Sequence, residues 1–208
     1  MEADVLVIGG GIAGCFAAIK ASQQGAKVIL VDKGFAGKSG QTPYARSFMA
    51  FNPEWGHKLD VWMNYINQTS EYVNNRTWTE ITIQESYARY LDLLSWGIKF
   101  KTGPDGQPVR NPAPPGVTDS VQLDDQTKGE YALILRKQVL KAGIKILDRV
   151  MLVELLQQDG KIVGAIGLPL DSDNLYTFIA KATILCVGGC GFKPAAYPPI
   201  VQLTGDGE

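Results

Sequence analysis

Six residues near the N-terminus, Gly9-Gly10-Gly11-Ile12-Ala13-Gly14, constrain this chain more than any other stretch. They follow a short apolar run, Asp4–Ile8, that reads as a strand. Small residues from Cys15 to Ala21 read as a helix, which Gly25 stops. Val28–Val31 reads as a second strand, and it ends on Asp32. Strand, glycine turn, helix, strand and terminal acid, in that order, make a dinucleotide-binding βαβ unit. Gly9 allows the turn, Gly11 lets the backbone approach a pyrophosphate, and Gly14 lets helix and strand pack closely. The backbone N–H groups of Gly11, Ile12, Ala13 and Gly14 sit at the positive end of the helix, where phosphates are held. Asp32 is placed to accept hydrogen bonds from a ribose diol and to repel a 2′-phosphate. The motif reads only the adenosine-diphosphate half, so NAD and FAD both remain open.

Composition narrows the class. The chain has 208 residues, enough for one sizeable core, and its 45% hydrophobic and 20% charged content is ordinary for a globular protein. A net charge of −1 gives no reason to expect nucleic acid or an anionic membrane as partner. The longest apolar stretch, Val5–Ile19, is broken by glycines and too short to span a bilayer. Met1-Glu2-Ala3-Asp4 has no basic region of a signal peptide, so a cytoplasmic location is expected, or the cytoplasmic face of a membrane-associated complex. Cys15, Cys186 and Cys190 form no disulfide framework, metal set or iron–sulfur set, and small buried residues are expected there.

Further along, Lys33–Phe48 is a loop rich in Gly, Ser, Thr and Pro. Leu59–Asn74 and Thr79–Trp96 show helical spacing, with Ile83, Tyr87, Tyr90, Leu91 and Leu94 on one face of the second. Ile98–Lys101 and Pro108–Arg110 flank a Pro104-Asp105-Gly106 turn and read as a β-ribbon. Asn111–Asp119 reads as a surface connection. Tyr131–Ala142 reads as a helix ended by Gly143, and Ile144–Leu147 as a third parallel strand. Met151–Gln157 and Lys161–Pro169 then surround Asp159-Gly160, a hairpin signal, and Tyr176–Ala180 adds an antiparallel strand. Ala182–Val187 reads as a separate buried strand running into Gly188-Gly189. The expected fold is α/β: a Rossmann-like parallel sheet crossed by an antiparallel β-meander. Residues 52–130 are expected to form a mainly helical insertion in a 1–208 dinucleotide-binding domain, and 150–181 the meander.

Three further segments carry a family resemblance. Asp32-Lys33-Gly34 with Lys38-Ser39-Gly40-Gln41-Thr42-Pro43-Tyr44-Ala45 resembles an acid-Lys pair followed by a Ser/Thr-rich FAD loop. Ile184-Leu185-Cys186-Val187-Gly188-Gly189 resembles a strand ending in Ala-Thr-Gly-Gly. Thr204-Gly205-Asp206-Gly207 resembles the opening of a helix over the flavin. Together they resemble the flavoprotein subunits of the succinate dehydrogenase and fumarate reductase superfamily. Lys38-Ser39-Gly40, Ser47–Asn52, Trp96-Gly97-Ile98 and Lys101–Arg110 are most similar to the alpha chain of adenylylsulfate reductase.

The resemblance implies FAD as cofactor and an oxidoreductase that transfers electrons or hydride. Lys33, Lys38, Ser39, Gln41 and Thr42 would serve the ribose, phosphates and ribityl chain, and Ala45 the isoalloxazine edge. Val150 would meet the adenine, Val187, Gly188 and Gly189 the adenosine half, and Asp206 a ribityl hydroxyl. Asn52 would sit near the reactive edge, and Glu130 on the substrate side. The bland alternatives are a turn residue before Pro53 and a first-turn acid on a helix. Some relatives attach FAD through a His in the Ser/Thr loop. Gly37–Ala45 has none, so non-covalent FAD is expected, with the one histidine, His57, a solvated loop residue. The implied partners are a dicarboxylate or sulfur-compound substrate and an iron–sulfur protein subunit. Family members continue past Thr-Gly-Asp-Gly into a capping domain, which is expected to be absent from this chain. A non-catalytic FAD-binding or assembly module and an NAD-dependent Rossmann enzyme are the two other readings.

Overall fold

The computed structural model describes residues 1–112 and 119–189. Cys190 and Thr204-Gly205-Asp206-Gly207, including the candidate Asp206, lie outside the described residues. Two compact units divide the chain: Met1–Tyr44 with Gly129–Glu208, and Ala45–Lys128.

The first unit is built on a sheet. Strand β1 (Glu2–Ile8), helix α1 (Ile12–Gln23) and β2 (Val28–Val31) form the N-terminal βαβ. Helix α4 (Tyr131–Lys141) and β6 (Lys145–Leu147) follow the intervening unit. The hairpin β7 (Val150–Gln158) and β8 (Lys161–Pro169) leads to β9 (Tyr176–Leu185). The sheet order is β6-β2-β1-β9-β8-β7. The first four strands run parallel, in the order that opens a doubly wound dinucleotide fold, while β8 and β7 are antiparallel. The fold is therefore α/β, with a Rossmann-like parallel sheet and an antiparallel meander.

Two sequence expectations change here. Tyr176–Ala180 and Ala182–Val187 are not separate strands. They are one strand, β9, that pairs antiparallel with β8 over Tyr176–Ile179 and parallel with β1 from Ile179 to Leu185. Its second half is not buried either: Ile184 and Leu185 are exposed. A continuous apolar run suggests two covered faces, whereas the buried side chains of β9 are Phe178 and Ala180. These two join Leu6, Ile8, Ile29, Val31, Val150 and Ala165 in one core cluster.

Small side chains explain how α1 lies on the sheet. Gly14, Cys15, Ala18 and Ile19 are its buried positions. Gly25 closes the helix, its N–H donating to the Ser22 carbonyl. Tyr131, Ala132, Leu135 and Val139 are the buried positions of α4, a spacing of three and four that makes one helical face.

The second unit holds β3 (Ser47–Met49), α2 (Leu59–Thr69), α3 (Arg76–Ser95), β4 (Arg110–Pro112) and β5 (Asp119–Gln122). Its three strands order as β3-β5-β4, all antiparallel. Asn111 and Asp119, expected in a surface connection, are thus strand residues. The turn at Pro104-Asp105-Gly106 is present, bridged by Thr102 and Pro108. α2 is shorter than expected because Glu71 and Tyr72 both take positive φ. α3 starts earlier, capped by the Asn75 side chain, which accepts from the Trp78 N–H.

The apolar face of α3 is also rotated from the expected one. Ile83, Ser86, Tyr90 and Leu93 are buried, while Leu91 and Leu94 are exposed. A serine enters this core because its hydroxyl is satisfied twice. It accepts from the Phe51 N–H and donates to the Ile83 carbonyl.

No helix among the described residues is long and apolar enough to cross a membrane. No group of three or more His, Cys, Asp or Glu gathers as a metal site among them.

Candidate functional site

The glycine turn sits where β1, β2 and β9 end together. Gly9 has φ +105, and its N–H donates to the Val31 carbonyl at 2.7 Å. A Cβ at Gly9 would run into the Cys186 carbonyl at the end of β9, and one at Gly14 would overlap the Gly9 carbonyl oxygen. A Cβ at Gly11 would meet only the Thr42 hydroxyl, at 3.1 Å. Gly9 and Gly14 are therefore required by backbone packing. Gly11 leaves room over the N-terminus of α1.

That N-terminus has unengaged donors. The first N–H groups of any helix lack intrahelical acceptors. Here the Ile12 N–H donates to Thr42 Oγ1 at 2.9 Å, and the Cys15 N–H to the Gly11 carbonyl at 2.9 Å. The Ala13 and Gly14 N–H groups have no acceptor among the described residues.

Asp32 ends β2 with both carboxylate oxygens tied to backbone. Oδ2 accepts from the Gly10 N–H at 2.6 Å, and Oδ1 from the Gly34 N–H at 2.8 Å. Sequence spacing gives Gly10 no role of its own, although it is the middle of three consecutive glycines. It is the residue through which the acid holds the turn: a Cβ there would lie 2.5 Å from that of Ala36. Each carboxylate oxygen keeps further lone-pair capacity, so a ribose diol can still be accepted.

Asp32→Asn is isosteric but offers one acceptor oxygen to two N–H donors. We expect it to cost about 2 kcal/mol of stability, the range for a hydrogen bond to a charged group. A thermal melt beside a cofactor titration checks this, and an unchanged melt would refute it.

The loop after Asp32 is held by residues that no sequence motif marks. Arg136 on α4 grips Asp148 with two hydrogen bonds, at 2.9 and 2.7 Å. Asp148 accepts from the Ala36 N–H and Arg136 donates to the Ala36 carbonyl, so both polar groups of one loop residue are engaged. The guanidinium lies 4.1 Å from the Phe35 ring centroid, with Lys38 at 5.3 Å. Ser39 Oγ accepts from the Phe35 N–H at 2.5 Å. Lys33 is half-buried, and Gln41 is exposed with its carbonyl accepting from the Tyr44 N–H.

The Val150 N–H, expected toward an adenine, instead donates to the Asp32 carbonyl at 3.0 Å. Val187, Gly188 and Gly189 are exposed beyond β9, Gly188 with φ +78. Burial pushes the Cys15 thiol up to about 12, with the Asp32 carboxylate adding to the rise, and burial also raises Cys186. Both therefore stay protonated at neutral pH, in keeping with a packing role.

Glu130 is the exposed N-cap residue of α4, and its side chain makes no capping bond. Ala45 and Asn52 belong to the second unit. Asn52 is buried and caps the short turn Pro53–Trp55: its Oδ1 accepts from the Glu54 N–H, while Nδ2 has no partner among the described residues.

His57 is not the solvated loop residue expected. Its side chain is 9% exposed. Nδ1 accepts from the Asn52 N–H at 3.0 Å, which leaves the ring proton on Nε2, 2.9 Å from Asp119 Oδ2. The ring packs among Phe51, Trp55 and Trp62. Arg110 completes the cluster from Asp119 and from the face of Trp55.

A protein family described as FAD binding domain matches residues 4–207. The chain belongs to that family. The dinucleotide is thus FAD, and the open choice between NAD and FAD closes. A CoM/CoB fumarate reductase chain from Methanothermobacter marburgensis is 32% identical over 99% of this chain, which spans 38% of that relative. The Mycobacterium smegmatis Sdh1 complex superposes with a TM-score of 0.82 at 28% identity, covering 91% of this chain and 35% of that one. Adenylylsulfate reductase from Archaeoglobus fulgidus, at 24% identity and a TM-score of 0.75, shares the fold over 99% of this chain and 35% of its own.

The residues present fit the adenosine-diphosphate half of FAD. Gly11 leaves space over a helix N-terminus that has two N–H donors without acceptors among the described residues, and a carboxylate closes the neighbouring strand.

Proposed function

We propose that this chain forms the FAD-binding part of an oxidoreductase of the fumarate reductase and succinate dehydrogenase type, with FAD held non-covalently. The observation that carries this reading is the α1 N-terminus, where the Ala13 and Gly14 N–H groups have no acceptor among the described residues, beside an Asp32 carboxylate fixed by Gly10 and Gly34. Gly9, Gly11, Ile12, Ala13 and Gly14 cradle the pyrophosphate, and Asp32 with Lys33 receives the adenosine ribose. Lys38, Ser39, Gln41 and Thr42 reach phosphate and ribityl oxygens. The Val150 carbonyl is left for the adenine, and Val187, Gly188 and Gly189 pass beside the adenosine half. Asp206 takes a ribityl hydroxyl and Ala45 the isoalloxazine edge. Asn52 and Glu130 are the candidates for the reacting side. In this reading residues 52–130 are an insertion and 150–181 the crossover meander.

When bound, the flavin supplies two-electron transfer, and the residues here supply position and field. The substrate is a small dicarboxylate, as the name of the Methanothermobacter relative suggests, or a sulfur compound by likeness to adenylylsulfate reductase. An iron–sulfur protein exchanges the electrons, on the cytoplasmic side. Non-covalent attachment is supported by the Gly37–Ala45 loop, which has no histidine, and by His57, whose two ring nitrogens are both engaged.

The purified chain is expected to be yellow and to release all of its flavin into the supernatant on acid precipitation. Flavin that stays with the precipitate would overturn the non-covalent reading. After dithionite reduction, reoxidation by fumarate supports the dicarboxylate assignment. Failure with fumarate but reoxidation by adenosine phosphosulfate moves the assignment to the sulfur class.

A further inference from the structure

Thr42 brings a hydroxyl to the mouth of the glycine turn from 30 residues away in sequence. Its Oγ1 accepts from the Ile12 N–H at 2.9 Å and lies 3.1 Å from where a Gly11 Cβ would be. A threonine hydroxyl has one donor and two acceptor sites. The Ile12 N–H fills one acceptor site, and the O–H hydrogen has no protein acceptor among the described residues. It is available to an anionic oxygen at the α1 N-terminus.

The backbone of this threonine is anchored by Tyr131, the first residue of α4. Its side chain is fully buried, and its phenol O–H donates to the Thr42 carbonyl. The Thr42–Tyr44 turn packs against α4. Thr42 is thus held at both ends: its carbonyl by Tyr131 and its hydroxyl by Ile12. A loop threonine whose backbone lacked the first contact would spend part of its time with its hydroxyl away from the α1 N-terminus, and recruiting it would then cost ordering entropy.

We propose that Tyr131 is a positioning residue for the pyrophosphate of FAD, acting through the Thr42 hydroxyl. The inference rests on the reading that the α1 N-terminus receives the pyrophosphate, and it adds a residue that touches no part of the cofactor.

The test is a double-mutant cycle on the full chain, with the FAD Kd and the apoprotein melting temperature measured for each variant. Tyr131→Phe should raise the Kd about tenfold, the equivalent of one good hydrogen bond. Thr42→Val should raise it at least as far, and adding Tyr131→Phe to Thr42→Val should raise it no further. Thr42→Ser, which keeps the hydroxyl, should bind within about threefold of the parent and stay sensitive to Tyr131→Phe.

A purely structural tyrosine would lower the melting temperature without this coupling. An unchanged Kd in Tyr131→Phe, or equal losses in the presence and absence of the Thr42 hydroxyl, would overturn the proposal. ADP competition separates the two levels. If ADP fails to displace FAD, the reading of the α1 N-terminus falls, and the proposal with it. If ADP competes and the cycle shows no coupling, only the role of Tyr131 falls.

Discussion

Gly14→Ala is expected to destabilise the chain by about 3 kcal/mol and to abolish measurable FAD retention, the upper end of what an overpacked methyl normally costs. The added Cβ would overlap the Gly9 carbonyl oxygen, with the carbonyl carbon at 2.9 Å and Cys186 Cβ at 3.5 Å. Neither side can yield cheaply. Gly9 is tied to Val31 by a 2.7 Å hydrogen bond, and the carbonyl carbon of Cys186 lies 2.7 Å from where a Gly9 Cβ would sit. Relief requires α1 to move off the ends of β1 and β9, taking its free N–H groups with it.

Gly143→Ala is the control, because nothing lies within 4 Å of its Cβ position. That residue has φ +74, so the substitution should cost about 1–2 kcal/mol of backbone strain and leave FAD affinity unchanged. Urea melts of both variants, with FAD titrations, decide the matter. A Gly14→Ala chain that melts with the parent would show that helix–strand approach is not what the glycine provides.

The N-terminal βαβ was legible because all its determinants are local: the glycines, the small residues of α1 and the acid at Asp32 lie within one short stretch. The roles of the same glycines were less so. Gly9 is required by Cys186, and no neighbour in sequence announces that contact. β9 reads as two strands because its partners switch along its length, from β8 just before it to β1 at the other end of the chain. His57 follows Pro53 and Gly56 in a stretch that reads as a loop, and so looks solvated. Asp119, which accepts the hydrogen bond from its ring N–H, is 62 residues away. Ser86 could not be assigned to the core without knowing that the Phe51 N–H would reach it. In each case the missing information is a long-range contact, most often a partner for a polar group. Hydrophobic periodicity carries no record of such pairings.

Arg136 is the same kind of residue, and its removal should have the second large effect. Arg136 and Asp148 are only 18% and 19% exposed, and they meet in a two-pronged pair. Truncating one partner of a largely buried pair leaves the other charge without compensation, at about 3–5 kcal/mol for full burial. With the remaining exposure allowed for, Arg136→Met is expected to cost about 2–3 kcal/mol. Asp148 would keep the Ala36 N–H, but the Ala36 carbonyl would lose its donor and the Phe35 ring the nearer of its two cations.

The same contacts fix the loop that carries Lys38, Ser39, Gln41 and Thr42, so FAD affinity should fall together with stability. Arg136→Lys keeps the charge but not the fork, and should recover less than half of the loss. The double variant Arg136→Met with Asp148→Leu removes the stranded carboxylate and should be more stable than Arg136→Met alone. It should remain below the parent, because both polar groups of Ala36 are then without partners. Chemical denaturation of the four proteins tests this order. If Arg136→Met matched the parent, the pair would be a surface ornament and the loop would owe its conformation to Asp32 and Ser39 alone.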